Sequence, residues 1–578
     1  MDFVKGSRTR TLAILILVVM VIFFARLFYI QIVRHSYYTA QADGEYIKQF
    51  TLHAQRGELF ALENDTPVKL VMNETVYTVW ADPKVVTEKQ KVVDVLNRVA
   101  GGNTRQNFSR YLDIKESRYQ VLANKVTRTQ AELIKKEKLA GIGFDAISQR
   151  VYPEGKLASQ VLGFVDTNGD GKYGFEQFND IALKGKDGSL QTVTDVREVP
   201  LTIGNKNVKT PAIDGKDTVL TIDRGIQTKV EQVLTAAGER THATHVSAVV
   251  MDPNNGHVLA MASTPTYDPG KLNEVGDVAL FNNQTISTPY EIGSVAKSYT
   301  VAMGLDTGVI NPDSTYVNTG AVTVGGEVIN NADKTRKLGT ITMQDALDWS
   351  LNTGMVDIAE RLGGGINKTA RNTMYGYFHD KFRLGQSTGI ELANEAPGTV
   401  ISPDEQQGNA VRYSNMSFGQ GMDVTMVQSS AAFCAVVNGG TYYQPTVIAG
   451  YVEGENYQKL AAKVVQQNVI SPSASAKARE MIHQSHYATY KPSDREGYYI
   501  GGKTGTSQTI DPKTGKYRDD ETIATYLGFG GNDVNKPSYV IMTNVSGGGN
   551  FGGGVDAKPI FNEISNWLVD YLKLQPKG

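Results

Sequence analysis

The first feature of the hydrophobic pattern is a long apolar segment near the N-terminus. Residues 12–25 are all apolar, and after Arg26 the segment continues to Val33 with Gln31 as its one polar member. A helix over residues 12–33 would be roughly 33 Å long at about 1.5 Å per residue, enough to cross a hydrocarbon core of about 30 Å. We name residues 12–33 the N-terminal apolar run and predict that it is a transmembrane helix.

Charges around the N-terminal apolar run predict its orientation. Three basic residues precede it, namely Lys5, Arg8 and Arg10. The positive-inside rule therefore predicts a cytoplasmic N-terminus, with everything after Arg34 on the outer side of the cell membrane. A cleaved signal peptide is the alternative, because Ala40-Gln41-Ala42 fits a small-x-small cleavage site. That site lies well beyond the apolar run, which favours an uncleaved anchor.

Two folded regions follow, and their patterns differ. From about residue 40 to residue 222, short strands, polar helices and turns alternate, with helices predicted over residues 87–99 and 129–139. Near Gly225 a second domain begins. Its predicted elements are a helix over 226–237, a hairpin of strands 246–252 and 257–263, a strand pair 524–530 and 538–545, and a closing helix over 560–572. Strands early and late with helices between them indicate an antiparallel sheet packed against helices.

Composition and charge narrow the functional classes. A chain of 578 residues is too long for one ordinary domain, and a hydrophobic content of 40% is sufficient for large cores. The net charge of −2 gives no electrostatic basis for nucleic-acid binding. Cys434 is the single cysteine, so an internal disulfide is impossible. Its apolar neighbours in residues 431–437 predict a buried core thiol.

Three short motifs carry the candidate chemistry. They occur in the order Ser294-Val295-Ala296-Lys297, Ser350-Leu351-Asn352 and Lys503-Thr504-Gly505-Thr506. A serine three residues before a lysine on a helix places the hydroxyl and the amine on one face, as a nucleophile beside a base. Apolar sequence over residues 295–303 predicts a helix that begins at this serine, and the helix dipole there favours developing negative charge.

Purely structural explanations exist for the same residues. Ser294 fits a helix N-cap, and Ser350 with Asn352 fits a capping or turn role before the helical run at residues 355–362. Lys297 favours the catalytic interpretation, because a lysine inside an apolar helix must lose its hydration, which lowers the pKa of the amine and permits a neutral base. Without a partner, such a lysine would only destabilise the fold.

In this order the three motifs resemble the set found in serine enzymes that bind penicillin. Further blocks agree with the family: Tyr290-Glu291-Ile292-Gly293, Ser417-Phe418-Gly419-Gln420-Gly421 followed by Val424, Thr425 and Gln428, and Asn438-Gly439-Gly440. The chain resembles a class B penicillin-binding protein, a monofunctional peptidoglycan transpeptidase, from about Arg56 to about Leu572. Ile292 stands where the family usually has proline, and Ser298 where proline or an apolar residue is common; neither is a reacting group.

The resemblance implies a two-step acyl transfer. Ser294, with Lys297 as its base, would attack the D-Ala-D-Ala carbonyl of a stem peptide and release the last D-Ala. Ser350 would relay a proton to the leaving amine, and Asn352 would orient Lys297 and the substrate amide. An amine from a neighbouring stem would then attack the acyl-enzyme and form the cross-link.

The third motif is implied to bind the substrate. Lys503 would supply positive charge at the floor of the cleft, and Thr504 and Thr506, on either side of Gly505, would offer hydroxyls to the terminal carboxylate of the substrate. The backbone N–H groups of Ser294 and Thr506 would form the oxyanion hole.

The same resemblance implies an α+β architecture. A cytoplasmic tail (residues 1–10) and a transmembrane anchor (11–33) would lead into an elongated, mixed α/β pedestal of dimerisation type (34–222). Residues 223–578 would form an extracytoplasmic transpeptidase domain of the penicillin-binding, serine β-lactamase-like type. No cofactor or metal is implied. The expected partners are peptidoglycan stem peptides, β-lactams, a membrane glycosyltransferase and other proteins of the division or elongation machinery.

Two rival functions use the same fold. One is a protein that hydrolyses or senses β-lactams, which would need fast deacylation or a signalling domain; the long pedestal argues against both. The other is a catalytically silent scaffold within a division complex, and the intact set of three motifs argues against it.

Two further matches rest on spacing alone. Residues 497–504 fit a phosphate-binding loop, but turn-like polar sequence precedes them and no helix is predicted after Lys503. Residues 166–171 open like a calcium loop. The pattern requires a bidentate glutamate at its twelfth position, where Gln177 stands, and Glu176 lies one residue early. Nucleotide binding is disfavoured, and calcium binding stays an alternative.

Overall fold

A computed structural model gives the fold and describes residues 7–38, 47–193, 208–490, 493–511 and 514–576. The strands, in chain order, are β1 (Ile47–Leu52), β2 (Leu59–Glu63), β3 (Thr66–Ala81), β4 (Gln120–Val126), β5 (Ile142–Val151), β6 (Phe164–Val165), β7 (Gly171–Lys172), β8 (Gly188–Val193), β9 (Val208–Thr210), β10 (Asp217–Asp223), β11 (His245–Met251), β12 (Val258–Thr264), β13 (Thr315–Asn318), β14 (Ala321–Val324), β15 (Glu327–Asn330), β16 (Gly339–Thr342), β17 (Tyr442–Tyr443), β18 (Ile448–Glu453), β19 (Asn456–Lys459), β20 (Val464–Gln466), β21 (Tyr499–Ile510), β22 (Tyr517–Gly531) and β23 (Tyr539–Ser546). The α-helices, in chain order, are α1 (Ser7–Phe28), α2 (Lys89–Ala100), α3 (Arg128–Lys136), α4 (Ser159–Leu162), α5 (Gly174–Phe178), α6 (Asp180–Lys184), α7 (Arg224–Thr241), α8 (Gln284–Ser287), α9 (Lys297–Asp306), α10 (Met343–Asp348), α11 (Asn352–Arg361), α12 (Lys368–Tyr375), α13 (Ala410–Met416), α14 (Met426–Val437), α15 (Pro472–Tyr490) and α16 (Lys558–Tyr571).

The N-terminal apolar run is helical, as predicted. It forms most of α1 and continues into a π-helical turn at Tyr29–Val33. Together, Arg8–Val33 make one helix that is long and apolar enough to cross a membrane. Lys5 and the Ala40-Gln41-Ala42 site, which bear on the predicted orientation and on the cleaved alternative, lie outside the described residues.

The chain divides into two compact units, of which the first comprises Met1–Arg56 and Lys184–Gly215. Besides α1 it contains an antiparallel three-stranded sheet in the order β1-β8-β9. The carboxylate of Asp187 accepts the backbone N–H of Ala54 at 2.8 Å, and Asp214 accepts that of Gln55 at the same distance. These bonds satisfy backbone donors of the segment that follows β1.

The second unit comprises Gly57–Leu183 and Lys216–Gly578. One of its sheets has seven strands, in the order β19-β18-β10-β2-β3-β4 with β5 also paired to β3. Strand β10 pairs in parallel with β2 and antiparallel with β18, so this sheet joins segments that lie far apart in sequence. It draws strands from both sides of the predicted boundary between residues 222 and 223, and that boundary stays a prediction.

The two helices predicted within residues 40–222 are present as α2 and α3, and both bury apolar residues against β4. Helix α3 begins at Arg128 because Thr127 and Gln130 form a capping box. It ends at Lys136, earlier than predicted, and Lys138 then adopts a positive φ of 51°, which is incompatible with a continuing helix.

A five-stranded antiparallel sheet in the order β12-β11-β23-β22-β21 forms the base of the second predicted domain. The predicted hairpin is β11–β12, and the predicted late strand pair is β22–β23. Both faces are buried: Ala248 and Val250 pack with α7 and α16, whereas Val249 and Met251 face the larger core that contains α14. Cys434 lies buried in α14, as predicted. The predicted antiparallel sheet packed against helices is therefore confirmed.

Candidate active site

Ser294 lies in a 3-10 turn, Gly293–Ala296, which runs directly into α9. The helix predicted over residues 295–303 therefore starts with a tighter turn, in which positions three apart eclipse one another. This geometry directs Ser294 and Lys297 to one side. Gly293 has a φ of +58°, and an added side-chain carbon would lie 2.6 Å from the carbonyl oxygen of Thr506. Glycine is needed here because the first and third motifs touch through their backbones.

Gly419 fixes the same turn from another side. Its carbonyl accepts the backbone N–H of Gly293 at 3.1 Å, and its φ is +94°. A side-chain carbon at Gly419 would lie 1.8 Å from the carbonyl oxygen of Gly293. The block Ser417–Gly421, one of those that carry the family resemblance, thus shapes the backbone that presents Ser294.

Lys297 is fully buried and brings the first two motifs together. Its Nζ lies 2.6 Å from the carbonyl oxygen of Ser350, 3.1 Å from Ser350 Oγ and 2.8 Å from Asn352 Oδ1. A neutral amine has two N–H donors to share among these three oxygens, and its lone pair is then free to accept a proton. Burial, and secondly the positive charge of Lys503, lower the pKa of Lys297 well below its usual value. The site therefore favours the uncharged amine that a general base requires.

The second motif is held in an unusual backbone conformation. Ser350 has a φ of +53°, a left-handed conformation that costs a non-glycine residue about 1–3 kcal/mol. The turn is closed by the N–H of Leu351, which donates to the carbonyl of Ala346 at 2.8 Å. Asn352 is the first residue of α11, earlier than the predicted run at 355–362, and its Nδ2 donates to the carbonyl of Asn330 at 2.8 Å. Its Oδ1 is thereby oriented toward Lys297.

Two buried asparagines that the sequence analysis did not identify support this motif. Asn331 Oδ1 accepts the backbone N–H of Thr353, in the first turn of α11, at 3.0 Å. Asn318 Oδ1 accepts from Asn331 Nδ2 and from the Thr353 hydroxyl, each at 3.0 Å. Both asparagines are almost completely buried. No local pattern marks them, because their partners come from a separate segment of the chain.

The third motif lies in strand β21, against the Ser294 turn. Lys503 is 5% exposed, and burial lowers its pKa to about 8. A side-chain carbon at Gly505 would lie 2.4 Å from the carbonyl oxygen of Ile292, so the strand and the turn are in direct backbone contact. The hydroxyl of Thr506 accepts the N–H of Gly553 at 3.2 Å. Thr504 lies between these residues on the same strand.

The phosphate-loop match has a structural explanation. Six of its eight residues, from Tyr499 onward, belong to β21, a strand that continues to Ile510. A phosphate loop instead requires a loop that opens a helix, whose N-terminal N–H groups bind the phosphates.

The calcium-loop match is explained by bonds within the protein. Glu176 is buried in an ion pair with Arg150 at 2.8 Å, and Gln177 accepts the backbone N–H of Tyr173. Asp166 accepts the backbone N–H groups of its own turn. Within the described ranges, no group of three or more His, Cys, Asp and Glu residues is arranged to hold a metal ion.

Two protein-family models and several known proteins match most of the chain. The model of the penicillin-binding protein transpeptidase domain matches residues 246–566, and that of the penicillin-binding protein dimerisation domain matches residues 51–220. The chain is 31% identical to stage V sporulation protein D of Bacillus subtilis, over 99% of this chain and 87% of that protein. It is 26% identical to the peptidoglycan D,D-transpeptidase FtsI of Escherichia coli, over 88% of this chain and 82% of that protein.

A solved structure agrees at the level of the fold. Penicillin-binding protein 2X from Streptococcus thermophilus is 23% identical and superposes with a TM-score of 0.74, over 91% of this chain and 80% of that one. The chain belongs to the penicillin-binding protein transpeptidase family. A dimerisation domain followed by a transpeptidase domain makes it a class B member, which confirms the resemblance and the α+β fold class predicted from the sequence.

Proposed function

We propose that this protein is a serine-type peptidoglycan D,D-transpeptidase, which cross-links stem peptides through an acyl-enzyme at Ser294 and is acylated by β-lactams. The observation that carries the proposal is the environment of Lys297. Its buried amine, held by Ser350 and Asn352, has a lowered pKa and lies one turn from a partly exposed serine. Burying a charged lysine is costly, so burial favours the neutral amine. A neutral amine beside a serine hydroxyl can act as the base that activates it.

In the first step, Ser294 Oγ bonds to the carbonyl carbon of the penultimate D-Ala, and its proton moves to Lys297 Nζ. The peptide C–N bond then breaks, and the leaving D-Ala nitrogen takes a proton through the Ser350 hydroxyl, which contacts Lys297 at 3.1 Å. The backbone N–H groups of Ser294 and Thr506 stabilise the oxyanion, an effect worth about 3–4 kcal/mol of barrier per donor. In the second step, an amine of a neighbouring stem attacks the ester, and Ser294 recovers its proton.

Substrate orientation comes from the third motif. Lys503, with the hydroxyls of Thr504 and Thr506, meets the terminal carboxylate of the donor stem or the carboxylate of a β-lactam. Gly505 keeps the strand close to the nucleophile, since any side chain there would collide with Ile292. No metal or nucleotide takes part in this chemistry.

The proposed location is the cell membrane, with a single span, a cytoplasmic N-terminus and the catalytic domain outside. It is supported by one N-terminal helix with the length and composition of a membrane span. A membrane glycosyltransferase would supply the glycan strands, and the protein would act with other components of the division or elongation machinery.

The test is labelling of the purified protein with a fluorescent penicillin, followed by mass spectrometry of the peptides. One adduct is expected on the peptide that carries Ser294, and Ser294→Ala should abolish it. Ser298→Ala is the matched control, because this serine is buried in α9 and its hydroxyl has no hydrogen-bond partner among the described residues. Labelling that survives in Ser294→Ala would refute the assignment.

A second measurement separates the transferase from its two rivals. Asp357 pairs with Arg361 at 2.6 Å, and Glu360 lies on the same helix; neither is bonded to the three motifs. In a transpeptidase the acyl-enzyme should turn over slowly in water and faster with an added amine. Rapid penicillin hydrolysis without amine dependence would indicate a β-lactamase, and absence of any labelling would indicate a silent scaffold.

A further inference from the structure

The side chain of Tyr490, the last residue of α15, reaches the third motif beside Thr504. A side-chain carbon at Gly554 would lie 2.8 Å from Tyr490 Oη and 3.9 Å from Thr504 Cγ2, so the two side chains approach each other over this glycine. The Tyr490 hydroxyl forms a hydrogen bond with the side chain of Thr504. The chemistry described above gives Tyr490 no role.

Tyr490 is held in place by residues outside the three motifs. Lys558, buried at the start of α16, has its Nζ 4.4 Å from the centre of the Tyr490 ring, where the cation is attracted to the ring face. The same amine donates to the hydroxyl of Ser493, which in turn donates to the carbonyl of Tyr490 at 2.7 Å. These contacts fix the ring and therefore the direction from which its hydroxyl meets Thr504.

The direction of the hydrogen bond follows from the two hydroxyls. A phenolic hydroxyl is more acidic than an aliphatic one and is the poorer acceptor, so Tyr490 is the donor and Thr504 Oγ1 the acceptor. Lys503 Nζ is a second donor to the same oxygen, at 3.4 Å. A hydroxyl has two acceptor positions and one proton. With both acceptor positions occupied, Thr504 can bind a further group only by donating its proton.

The other threonine of the motif is arranged in a similar way. Thr506 Oγ1 accepts the backbone N–H of Gly553 at 3.2 Å. Thr504 and Thr506 lie on the same face of β21, because side chains two positions apart in a strand share a face. An ionised carboxylate only accepts hydrogen bonds. Two neighbouring hydroxyls that already accept from the protein and keep their protons to donate are therefore matched to a carboxylate.

We propose that Tyr490 is a positioning residue for the substrate carboxylate, because its hydroxyl directs the proton of Thr504 toward that group. Without the Tyr490 hydroxyl, Thr504 has a free acceptor position and its proton is no longer directed to the substrate. This inference rests on the proposed transpeptidase function, and it adds a residue outside the three motifs to the recognition of the donor substrate.

The test compares two probes with the full-length protein in detergent. One is benzylpenicillin, and the other is its methyl ester, which has the same reacting ring but no carboxylate. Acylation of Ser294 is followed by mass spectrometry. The measured quantity is the second-order rate constant for the acid divided by that for the ester. General damage to the nucleophile or its base slows both reactions and cancels in this ratio.

Tyr490→Phe should lower the ratio by about three- to tenfold, the size expected for one hydrogen bond between neutral groups. Tyr498→Phe is the matched control, because its hydroxyl donates to the carbonyl of Leu574 at 3.0 Å, away from Thr504, and its ratio should stay that of the wild type. Thr504→Val should itself lower the ratio. Adding Tyr490→Phe to Thr504→Val should change it no further, because Tyr490 acts through the Thr504 hydroxyl.

The outcomes separate this inference from the proposed function. An unchanged ratio in Tyr490→Phe, with Ser294 still acylated, overturns the positioning role and leaves the transpeptidase proposal intact. A further fall of the ratio when Tyr490→Phe is added to Thr504→Val also overturns it. A wild-type protein that is not acylated at Ser294 refutes the proposed function itself.

A second variant decides if Tyr490→Phe reacts with neither probe. Gly554→Ala places a side-chain carbon against the Tyr490 hydroxyl and displaces it from Thr504 without removing it. This variant should lower the ratio in the same direction, and an unchanged ratio in it overturns the positioning role.

Discussion

The two lysines of the site carry the same charge in water, but replacement by arginine should slow acylation far more at Lys297 than at Lys503. Lys297 has no exposed surface, and its amine is enclosed by the carbonyl of Ser350, the Ser350 hydroxyl and Asn352. Arginine cannot give up a proton at working pH, and its planar group carries five donors where one nitrogen fits. Lys503 needs only to present positive charge, which arginine retains.

The expected loss of acylation rate in each variant follows from the role of the lysine. Loss of a general base lowers rates by about 10²–10⁴, equivalent to about 3–5 kcal/mol of barrier. Lys297→Arg should therefore reduce the second-order rate constant of penicillin acylation by at least about a hundredfold. Lys503→Arg should reduce it by about tenfold or less, or about 1.4 kcal/mol, through imperfect packing of the larger side chain in a buried position.

The pH profile of acylation supplies an independent check. The rate should rise with pH as Lys297 loses its proton, through a pKa held well below the usual value for lysine. It should fall again above pH 8, because Lys503, with a pKa of about 8, then loses the charge that attracts the carboxylate. In Lys503→Arg the falling limb should disappear, since the guanidinium stays charged.

The assay is stopped-flow or time-resolved labelling with a fluorescent penicillin between pH 5 and pH 10, with circular dichroism to verify that each variant is folded. Equal losses in the two variants would remove the base role from Lys297. A falling limb that persists in Lys503→Arg would show that another group loses its proton near pH 8, and the assignment of Lys503 would be wrong.

Three further predictions concern backbone contacts, positioning and the membrane. Gly419→Ala should lower the free energy of unfolding by about 3–4 kcal/mol and abolish labelling, because its side chain collides with Gly293; thermal melts and labelling check this. Asn331→Ala should lower the free energy of unfolding by about 1–3 kcal/mol and slow acylation about tenfold, because it releases Thr353. Asn367→Ala, the control, removes the cap of another helix and should lower stability without slowing acylation. Similar acylation rates in the two variants would contradict a positioning role for Asn331. The protein should stay in the membrane fraction after a high-salt wash and begin at or near Met1, and an N-terminus at Asp43 would show cleavage instead.

Elements with a strong local period were predictable from the chain. The N-terminal apolar run, the β11–β12 hairpin and the closing helix α16 each follow from hydrophobic spacing and turn residues that lie within about twenty positions of one another. Their ends were less certain, because caps and positive φ angles decide them. Lys138 terminates α3 in this way, although its side chain gives no indication of it.

The pairing of strands was not predictable in the same way. Strand β10 lies between β2 and β18, and nothing in its own seven residues selects those partners. Which strands pair depends on the hydrophobic faces that the rest of the unit leaves to be covered, and this information is spread over the whole chain.

The sequence by itself determined the candidate chemistry of this protein: the three motifs, their order and the residue types they contain. Only the tertiary structure determined the burial, the neighbours and the protonation of those residues. The pKa of Lys297 is low because folding removes water from it and brings Lys503 close, and both effects depend on residues remote in sequence. The burial of Asn318 and Asn331 and their bonds to Thr353 likewise arise only when separate segments of the chain pack together. Local sequence specifies which groups are available, but exclusion of solvent and proximity of charge arise only when distant segments pack together.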